Sequence, residues 1–183
     1  MNSKRKQSLS LILSTVSIGI FILLSLACSR ADDTSKHPKQ GKNTLTAFVL
    51  EAPPADTWSV SQARAQAKPG ASIQVSGQIG GTVRPFVEGY AGFVLADPNL
   101  EFCSEMGDDH CATPWDACCE DPDKIKSMRI TVQFVDSEGR PIEGDLKQSL
   151  GIKELDEVII VGTLAETSTH TNMILNATGL YRF

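Results

Sequence analysis

Four cysteines and a histidine lie within a 27-residue segment, Asp97 to Asp123, that carries nine acidic side chains and no lysine or arginine. These sulfur and imidazole side chains are Cys103, His110, Cys111, Cys118 and Cys119. Thiolates and imidazoles bind soft metal ions, and paired thiols form disulfides in oxidising compartments. Because so polar a segment has little apolar surface with which to order itself, we expect disulfides or a metal ion to hold it.

Two disulfides are the interpretation that we prefer, since the N-terminal pattern described below predicts export to an oxidising compartment. A Cys118–Cys119 bridge would strain a small ring and is set aside. Two of the three pairings that four cysteines allow then remain. One joins Cys103 to Cys118 and Cys111 to Cys119, and the other joins Cys103 to Cys119 and Cys111 to Cys118. Each bridge closes a short loop and is worth about 2–4 kcal/mol.

A metal site is the alternative, with the thiolates, with or without His110, around one tetrahedral Zn²⁺ or Cu(I) ion. Cysteines separated by two residues, the usual zinc spacing, are absent. The adjacent Cys118 and Cys119 can share a metal only in a turn, and the many carboxylates oppose thiolate formation. A redox-active or catalytic thiol is the least favoured interpretation, because only His110 could lower a thiol pKa.

Two further side chains are candidate ligand contacts, Arg84 and Trp115. Arg84 lies between the first two predicted strands, and Trp115 is expected to be a hydrophobic plug under the cysteine loop more than a stacking platform. We expect Asp116 to cap a turn near Cys118. Since no phosphate-binding glycine loop, nucleophile elbow or readable carboxylate pair occurs, we assign no catalytic residue and predict that the protein is not an enzyme.

The N-terminus has the pattern of an export signal. Residues 4–6 are basic, and an apolar run without charge extends from Leu9 to Ala27. The run ends in Leu24-Ser25-Leu26-Ala27-Cys28, which resembles a bacterial lipobox. That resemblance implies cleavage before Cys28 and lipidation of its thiol. A retained membrane anchor or an ordinary secretory signal are the alternatives.

Removal of residues 1–27 would leave 14 Lys and Arg against 22 Asp and Glu, a net charge of −8. An acidic chain is a poor nucleic-acid binder, because such binding depends on neutralising phosphates. We therefore expect no nucleic-acid partner, but a membrane contact through the lipid, a cell-envelope location facing the periplasm or exterior, and an unknown protein or small ligand. No cofactor is assigned beyond the candidate zinc.

The remaining chain predicts one domain behind a polar tether. Residues 28–44 are the lipidated cysteine and a disordered tether, and residues 45–70 are an extension with a short helix inside Asp56–Ala67, where Ser59 and Gln62 stand in capping-box spacing. Within residues 71–183 we then predict five strands, and period-two alternation marks the first and the third of them. They are Ser72–Ile79, Tyr90–Ala96, Met128–Phe134, Val158–Leu164 and Met173–Tyr181.

Between the third and fourth strands, a short helix is expected near Leu146–Leu150, and glycines interrupt two strands, at Gly77 and Gly162. Glycines inside strands favour the bulges and coiling of a small barrel. This pattern resembles the OB-fold, so we predict a mainly β, five-stranded OB-like barrel with a short N-terminal helix and a cysteine-rich insertion, residues 97–127, between the second and third strands (β2–β3). An open β-sandwich is the competing fold.

A narrower resemblance rests on Gln78-Ile79-Gly80-Gly81, on Asp97-Pro98, and on Thr113-Pro114-Trp115-Asp116-Ala117-Cys118-Cys119. These strings are similar to a family of uncharacterised exported bacterial proteins that have been likened to OB domains and share a Thr-Pro-Trp-Asp-x-Cys-Cys loop. The resemblance implies an OB-like barrel bearing this loop. It implies no activity and no catalytic residue. From the sequence we therefore expect a non-enzymatic binding module with a disulfide-stapled loop, or an extracytoplasmic zinc- or copper-binding protein.

Overall fold

The computed structural model of the protein describes residues 44–106 and 111–183. The predicted signal peptide (1–27), Cys28, the predicted tether as far as residue 43, and His110 lie outside the described residues. Five strands dominate: β1 (Ser72–Ile79), β2 (Gly92–Ala96), β3 (Arg129–Phe134), β4 (Glu157–Leu164) and β5 (Ile174–Arg182). Three short helices accompany them: α1 (Val60–Gln66), α2 (Pro122–Ser127) and α3 (Leu146–Leu150).

The strands close into a barrel in the order β1–β2–β3–β5–β4, and β4 pairs again with β1. All neighbours are antiparallel except β3 and β5, which run parallel. Helix α3 lies between β3 and β4 in the chain. This mixed, closed five-stranded arrangement is that of a small OB-like barrel, which confirms the predicted fold class.

Alternating side chains fill the barrel. Burial alternates along β1 and along β3, so that Val75 and Val132, for example, are fully buried while their neighbours face outward. Two strand glycines serve the closure, as the sequence predicted. A Cβ at Gly77 would lie 2.5 Å from the Ala96 carbonyl oxygen, so only glycine permits the close approach of β1 to β2. At Gly162 the pairing of β4 with β5 shifts register in a bulge.

The N-terminal extension belongs to the same core. Leu45, Val60 and Ala63 are fully buried against the barrel, and a two-residue strand, Trp58–Ser59, pairs in parallel with β1. Ser59 and Gln62 form the predicted capping box at the start of α1. A 3₁₀ turn, Thr46–Phe48, precedes them.

The cysteine insertion is more ordered than its composition predicts. It encloses a second, small core in which Ala96, Leu100, Phe102 and Ala117 are buried. Helix α2, which the sequence analysis placed in loop, ends the insertion, with the Asp121 carboxylate accepting from two backbone N–H groups at its start. Burial of these few apolar residues contributes to the order of the segment, and the expectation that disulfides or a metal ion hold it stays a prediction.

All described residues fall in one compact unit, Pro38–Phe183, which has its own hydrophobic core. A unit of this kind has what a domain needs to fold alone. Within the ranges 44–106 and 111–183, no helix is long and apolar enough to cross a membrane.

Candidate functional site

Backbone hydrogen bonds tie the two arms of the cysteine insertion together. The Cys103 N–H donates to the Asp116 carbonyl at 2.8 Å, and the Ser104 N–H donates to the Pro114 carbonyl at 3.0 Å. Cys103 itself begins a 3₁₀ turn, Cys103–Glu105, whose first N–H groups are free to make these bonds. The pairing brings Cys103 against the segment that carries Cys118.

Three cysteine sulfur atoms converge at this point. The Sγ atoms of Cys103, Cys111 and Cys118 all lie within 4.8 Å of one another. The shortest separation that the structure gives joins Cys103 to Cys118, at 3.6 Å. These residues are three of the four cysteines predicted from the sequence to act together, and the folded chain does bring them together.

The fourth cysteine lies beside this group. Cys118 and Cys119 occupy a turn that is closed by a hydrogen bond of 3.0 Å from the Glu120 N–H to the Ala117 carbonyl. Their sulfur atoms are 4.0 Å apart. Adjacent cysteines can bind one ion only where the backbone turns. The structure has such a turn here, which the sequence alone did not reveal.

The sulfur separations decide what the arrangement can hold as it stands. A disulfide bond is about 2.05 Å long, so no pair of described cysteines is at bonding distance. Around a tetrahedral ion with metal–sulfur bonds of about 2.3 Å, neighbouring sulfur atoms are about 3.8 Å apart. Within the group, the Cys103–Cys118 separation of 3.6 Å is close to that value, and the separations that involve Cys111 do not exceed 4.8 Å. This group could hold a metal ion without large movement.

Burial and charge control the protonation of the thiols. Burial, reinforced by hydrogen bonding to Cys118 and Cys111, raises the pKa of Cys103 to about 12. The pKa of Cys118 is also raised, since the lowering effect of its hydrogen bond with Cys103 is outweighed by Cys119, partial desolvation and the charge of Asp116. Without an ion these thiols stay protonated at neutral pH, and a bound cation would have to displace their protons.

Trp115 connects the cysteine insertion to the barrel. Its indole Nε1–H donates to the Val83 carbonyl at 3.1 Å, and its own carbonyl accepts from the Gly81 N–H at 2.8 Å. The side chain is half-buried. Trp115 is therefore an anchor between the insertion and the β1–β2 connection, a hydrogen-bonding role beyond the plug expected from the sequence.

The neighbouring Asp116 has the local role expected of it. It is 5% exposed, and its Oδ1 accepts from the Ala117 N–H at 2.8 Å. Arg84 lies in the β1–β2 connection, exposed, and it lines a cleft away from the sulfur atoms together with Arg64 and Arg129. Of the two candidate ligand contacts, Trp115 thus joins the insertion to the β1–β2 connection, whereas Arg84 lines the cleft.

Sequence analysis missed Asp97, a buried carboxylate at the end of β2. Its Oδ2 accepts from the Ser61 N–H at 2.8 Å. Its Oδ1 accepts from the Asn99 backbone N–H at 3.0 Å and from the Asn99 side-chain amide at 2.9 Å. Burial alone would raise the pKa of Asp97, but these hydrogen bonds bring that pKa below its usual value. The Asp-Pro-Asn string was a turn signal, but the link to α1 is a long-range contact that no local pattern reveals.

Comparison with known proteins adds little to this picture. No protein-family model matches the chain, and no curated protein matches it. Among solved structures, the chain is similar to one described as "Crystal structure of a putative aspartyl-tRNA synthetase from Leishmania major Friedlin", with 11% identity and a TM-score of 0.42. The match covers 76% of this chain and 24% of that chain.

Proposed function

We propose that this protein is an exported, non-enzymatic OB-like module that binds one soft metal ion, Zn²⁺ or Cu(I), through Cys103, Cys111 and Cys118. The observation that carries the proposal is the convergence of the three Sγ atoms within 4.8 Å. Thiolates suit both ions, and a site with three thiolates suits zinc when a fourth ligand completes the tetrahedron. The fourth ligand is Cys119 or His110, the two remaining candidates of the insertion.

The position of the group in the fold supports a metal that is held and exchanged at the surface. Cys103 is buried at 2% exposure, whereas Cys118 and Cys119 are exposed. A site that is closed on one side and open on the other keeps the ion in reach of a donor or acceptor. The surrounding carboxylates raise the local concentration of cations.

A disulfide-stapled binding module is the second candidate. It is favoured by the contact of 3.6 Å between Cys103 and Cys118, one of the two pairings expected from the sequence. A rotation of both side chains would close that bridge, and Cys111 and Cys119 would form the other. In this case the stapled insertion would serve as a rigid flank of the barrel, and the ligand would bind elsewhere on the domain.

Export and membrane attachment complete the proposal. The lipobox-like string ending at Cys28 supports cleavage and lipidation, which would place the domain in the cell envelope on a polar tether. Radiolabelled palmitate is expected to label the full chain and not the Cys28→Ala variant. Labelling that survives the substitution would contradict this part of the proposal.

The metal and disulfide candidates are separated by measuring thiols and metal on the same sample. Residues 38–183 are prepared under reducing conditions, loaded with one equivalent of Zn²⁺ and dialysed. We expect one zinc per chain and its loss on Cys111→Ser, a half-buried position whose replacement should leave the fold intact. Cobalt(II) substitution then counts the thiolates through its charge-transfer absorption.

Two matched variants identify the fourth ligand. Cys119→Ser lowers zinc affinity strongly if Cys119 completes the site, and His110→Ala does so if the imidazole completes it. Zinc binding that is unchanged in Cys111→Ser and in Cys118→Ser would contradict the metal proposal. A sample from an oxidising compartment with no free thiol and no metal would support the disulfide candidate.

A further inference from the structure

A basic cleft lies near Gly81, whose carbonyl accepts from the Arg129 guanidinium, and no cysteine lines it. Its volume is about 250 Å³, and it is formed where the β1–β2 connection, β3 and the β4–β5 connection meet. Its polar lining includes four basic side chains and several neutral ones, among them Arg64, Arg84, Lys126, Arg129, Thr82 and Thr171. No aspartate or glutamate lines it among the described residues. The chain has more acidic than basic residues, 22 against 17, so a cleft lined by four basic side chains is unusual in it.

The arginines of the cleft lack acidic partners in the described part of the chain. There, Arg64, Arg84 and Arg129 have no carboxylate within 4.0 Å, the limit for an ion pair. By contrast, Arg140 has two such partners and Arg182 has one. Lys126 pairs with Asp123 at 3.1 Å, but both side chains are mostly exposed to solvent. Among residues 44–106 and 111–183, therefore, no ion pair neutralises the positive charge of the three arginines.

Two of the guanidinium groups are fixed in place by backbone carbonyls. Arg64 donates to the Arg129 carbonyl at 3.0 Å and to the His170 carbonyl. Arg129 donates to the Gly81 carbonyl at 3.0 Å. Each guanidinium has five donors in a rigid fork, so these bonds leave donors for a ligand on groups that are already oriented. Burial, together with the charge of Arg129, lowers the pKa of Arg64, a cost that a bound anion would relieve.

We propose that this cleft binds a tetrahedral oxyanion, the phosphate or sulfate group of a small ligand. Guanidinium forks bind such groups through paired, charge-assisted hydrogen bonds. The hydroxyls of Thr82 and Thr171 add neutral donors at the rim. The volume is slightly below that of sites for drug-sized ligands, which suits one such group or two joined groups.

The charge of the rest of the molecule selects a small ligand over a polymer. With the signal removed, the chain carries eight more acidic than basic side chains. The net negative charge of the chain would repel a long polyanion. A compact ligand places its charge only where the four cations are. This site is separate from the cysteine group, so the inference does not depend on metal binding.

Titration of residues 38–183 with inorganic pyrophosphate and with sulfate, followed by amide NMR at constant ionic strength, tests the proposal. We expect saturable shifts that are confined to the β1–β2 and β4–β5 connections and the start of β3, with a dissociation constant of about 1 mM or below. Arg84→Gln is expected to weaken binding about tenfold, since one of three arginine contacts is lost. Arg84 is exposed, so this variant should fold normally.

Arg140→Gln is the matched control, because it removes the same charge from an exposed arginine that is paired with Asp136 and Glu138. It should leave pyrophosphate affinity unchanged. Equal weakening in both variants, or no localised shifts with either anion, would overturn the proposal. Vesicles containing phosphatidylglycerol and a DNA duplex form the other arms. If the domain binds the vesicles or the duplex but not pyrophosphate, the small-oxyanion proposal is overturned, and the ligand of the cleft is a membrane surface or a nucleic acid.

Discussion

The carbonyl oxygen of Trp115 accepts a hydrogen bond of 2.8 Å from the Gly81 N–H. On its other side, the Gly81 carbonyl accepts from the Arg129 guanidinium at 3.0 Å. One glycine thus connects the cysteine insertion to the basic cleft. If an ion or disulfides order the insertion, the position of the Arg129 side chain in the cleft should therefore become more restricted as well.

The indole hydrogen bond of Trp115 can be removed alone. Trp115→Phe keeps an aromatic ring but loses the bond to the Val83 carbonyl, so the free energy of unfolding should fall by about 1 kcal/mol, plus a smaller loss from reduced area. Urea unfolding measures it. Trp58→Phe, in a residue that packs against the main core, is the control for ring size. An equal loss in both variants would show that the bond contributes nothing of its own.

The contact between Gly80 and the insertion leaves no room for a methyl group. A Cβ at Gly80 would lie 2.7 Å from both the Trp115 carbonyl oxygen and Cε1 of Phe102. Gly80→Ala should therefore destabilise the fold by about 1–3 kcal/mol and weaken zinc binding by displacing the insertion.

Gly139→Ala is the comparison for that variant, since Gly139 has a φ of 78° but no neighbour within 4 Å of an added Cβ. Its cost should be the backbone strain alone, about 1–2 kcal/mol, with zinc affinity unchanged. Zinc affinity that is unaffected by Gly80→Ala would contradict the role given to this contact.

Asp97 predicts how stability depends on pH. Its folded pKa is lowered by hydrogen bonds from Ser61 and Asn99, so its stabilising contribution is present above its unfolded pKa of about 3.9 and is lost as the pH falls through the lower, folded value. At neutral pH, Asp97→Asn should cost about 2 kcal/mol, because the charged acceptor is lost.

Urea unfolding of both proteins at a series of pH values checks this prediction. The gap between wild type and Asp97→Asn should narrow as the solution becomes more acidic than pH 4 and close below the folded pKa. Asp136→Asn is a useful control, because that carboxyl also has a lowered pKa, through Arg140, but lies in an exposed turn. A gap of constant size from neutral to strongly acidic pH would contradict the role assigned to Asp97.

Metal removal should loosen the backbone of the insertion and leave the backbone of the barrel unchanged. A chelator added to the zinc-loaded domain is expected to speed amide hydrogen exchange in residues 102–106 and 111–120, since their order would then depend on the small second core alone. Exchange in β4 and β5, which pair along most of their length, should stay unchanged. Equal exchange in the insertion with and without zinc would argue that the ion does not order it.

The barrel was predictable from the sequence because its signals are local. Alternating apolar residues marked the first and third strands, the glycines at 77 and 162 marked the points of coiling, and Ser59 with Gln62 marked the start of α1. Helix α2 was missed because it is short and because the acidic segment before it masked the Asp121-Pro122 start signal.

The candidate sites were only partly predictable. The cysteines stood out by their type, but the turn that allows Cys118 and Cys119 to face the same side is set by the fold. Arg64 and Arg129 are separated by 65 positions, and nothing local to either one shows that they meet. Contacts of this kind come from closure of the barrel, which brings α1, β3 and the β4–β5 connection together.

The most direct test of the central claim is the metal content of the reduced, zinc-loaded domain, measured together with its free thiols before and after denaturation in the presence of chelator. The metal proposal predicts one zinc per chain, thiols that are protected in the native state, and four reactive thiols once the metal is removed and the chain is unfolded. No retained zinc, with all four thiols reduced and the barrel folded, would contradict it.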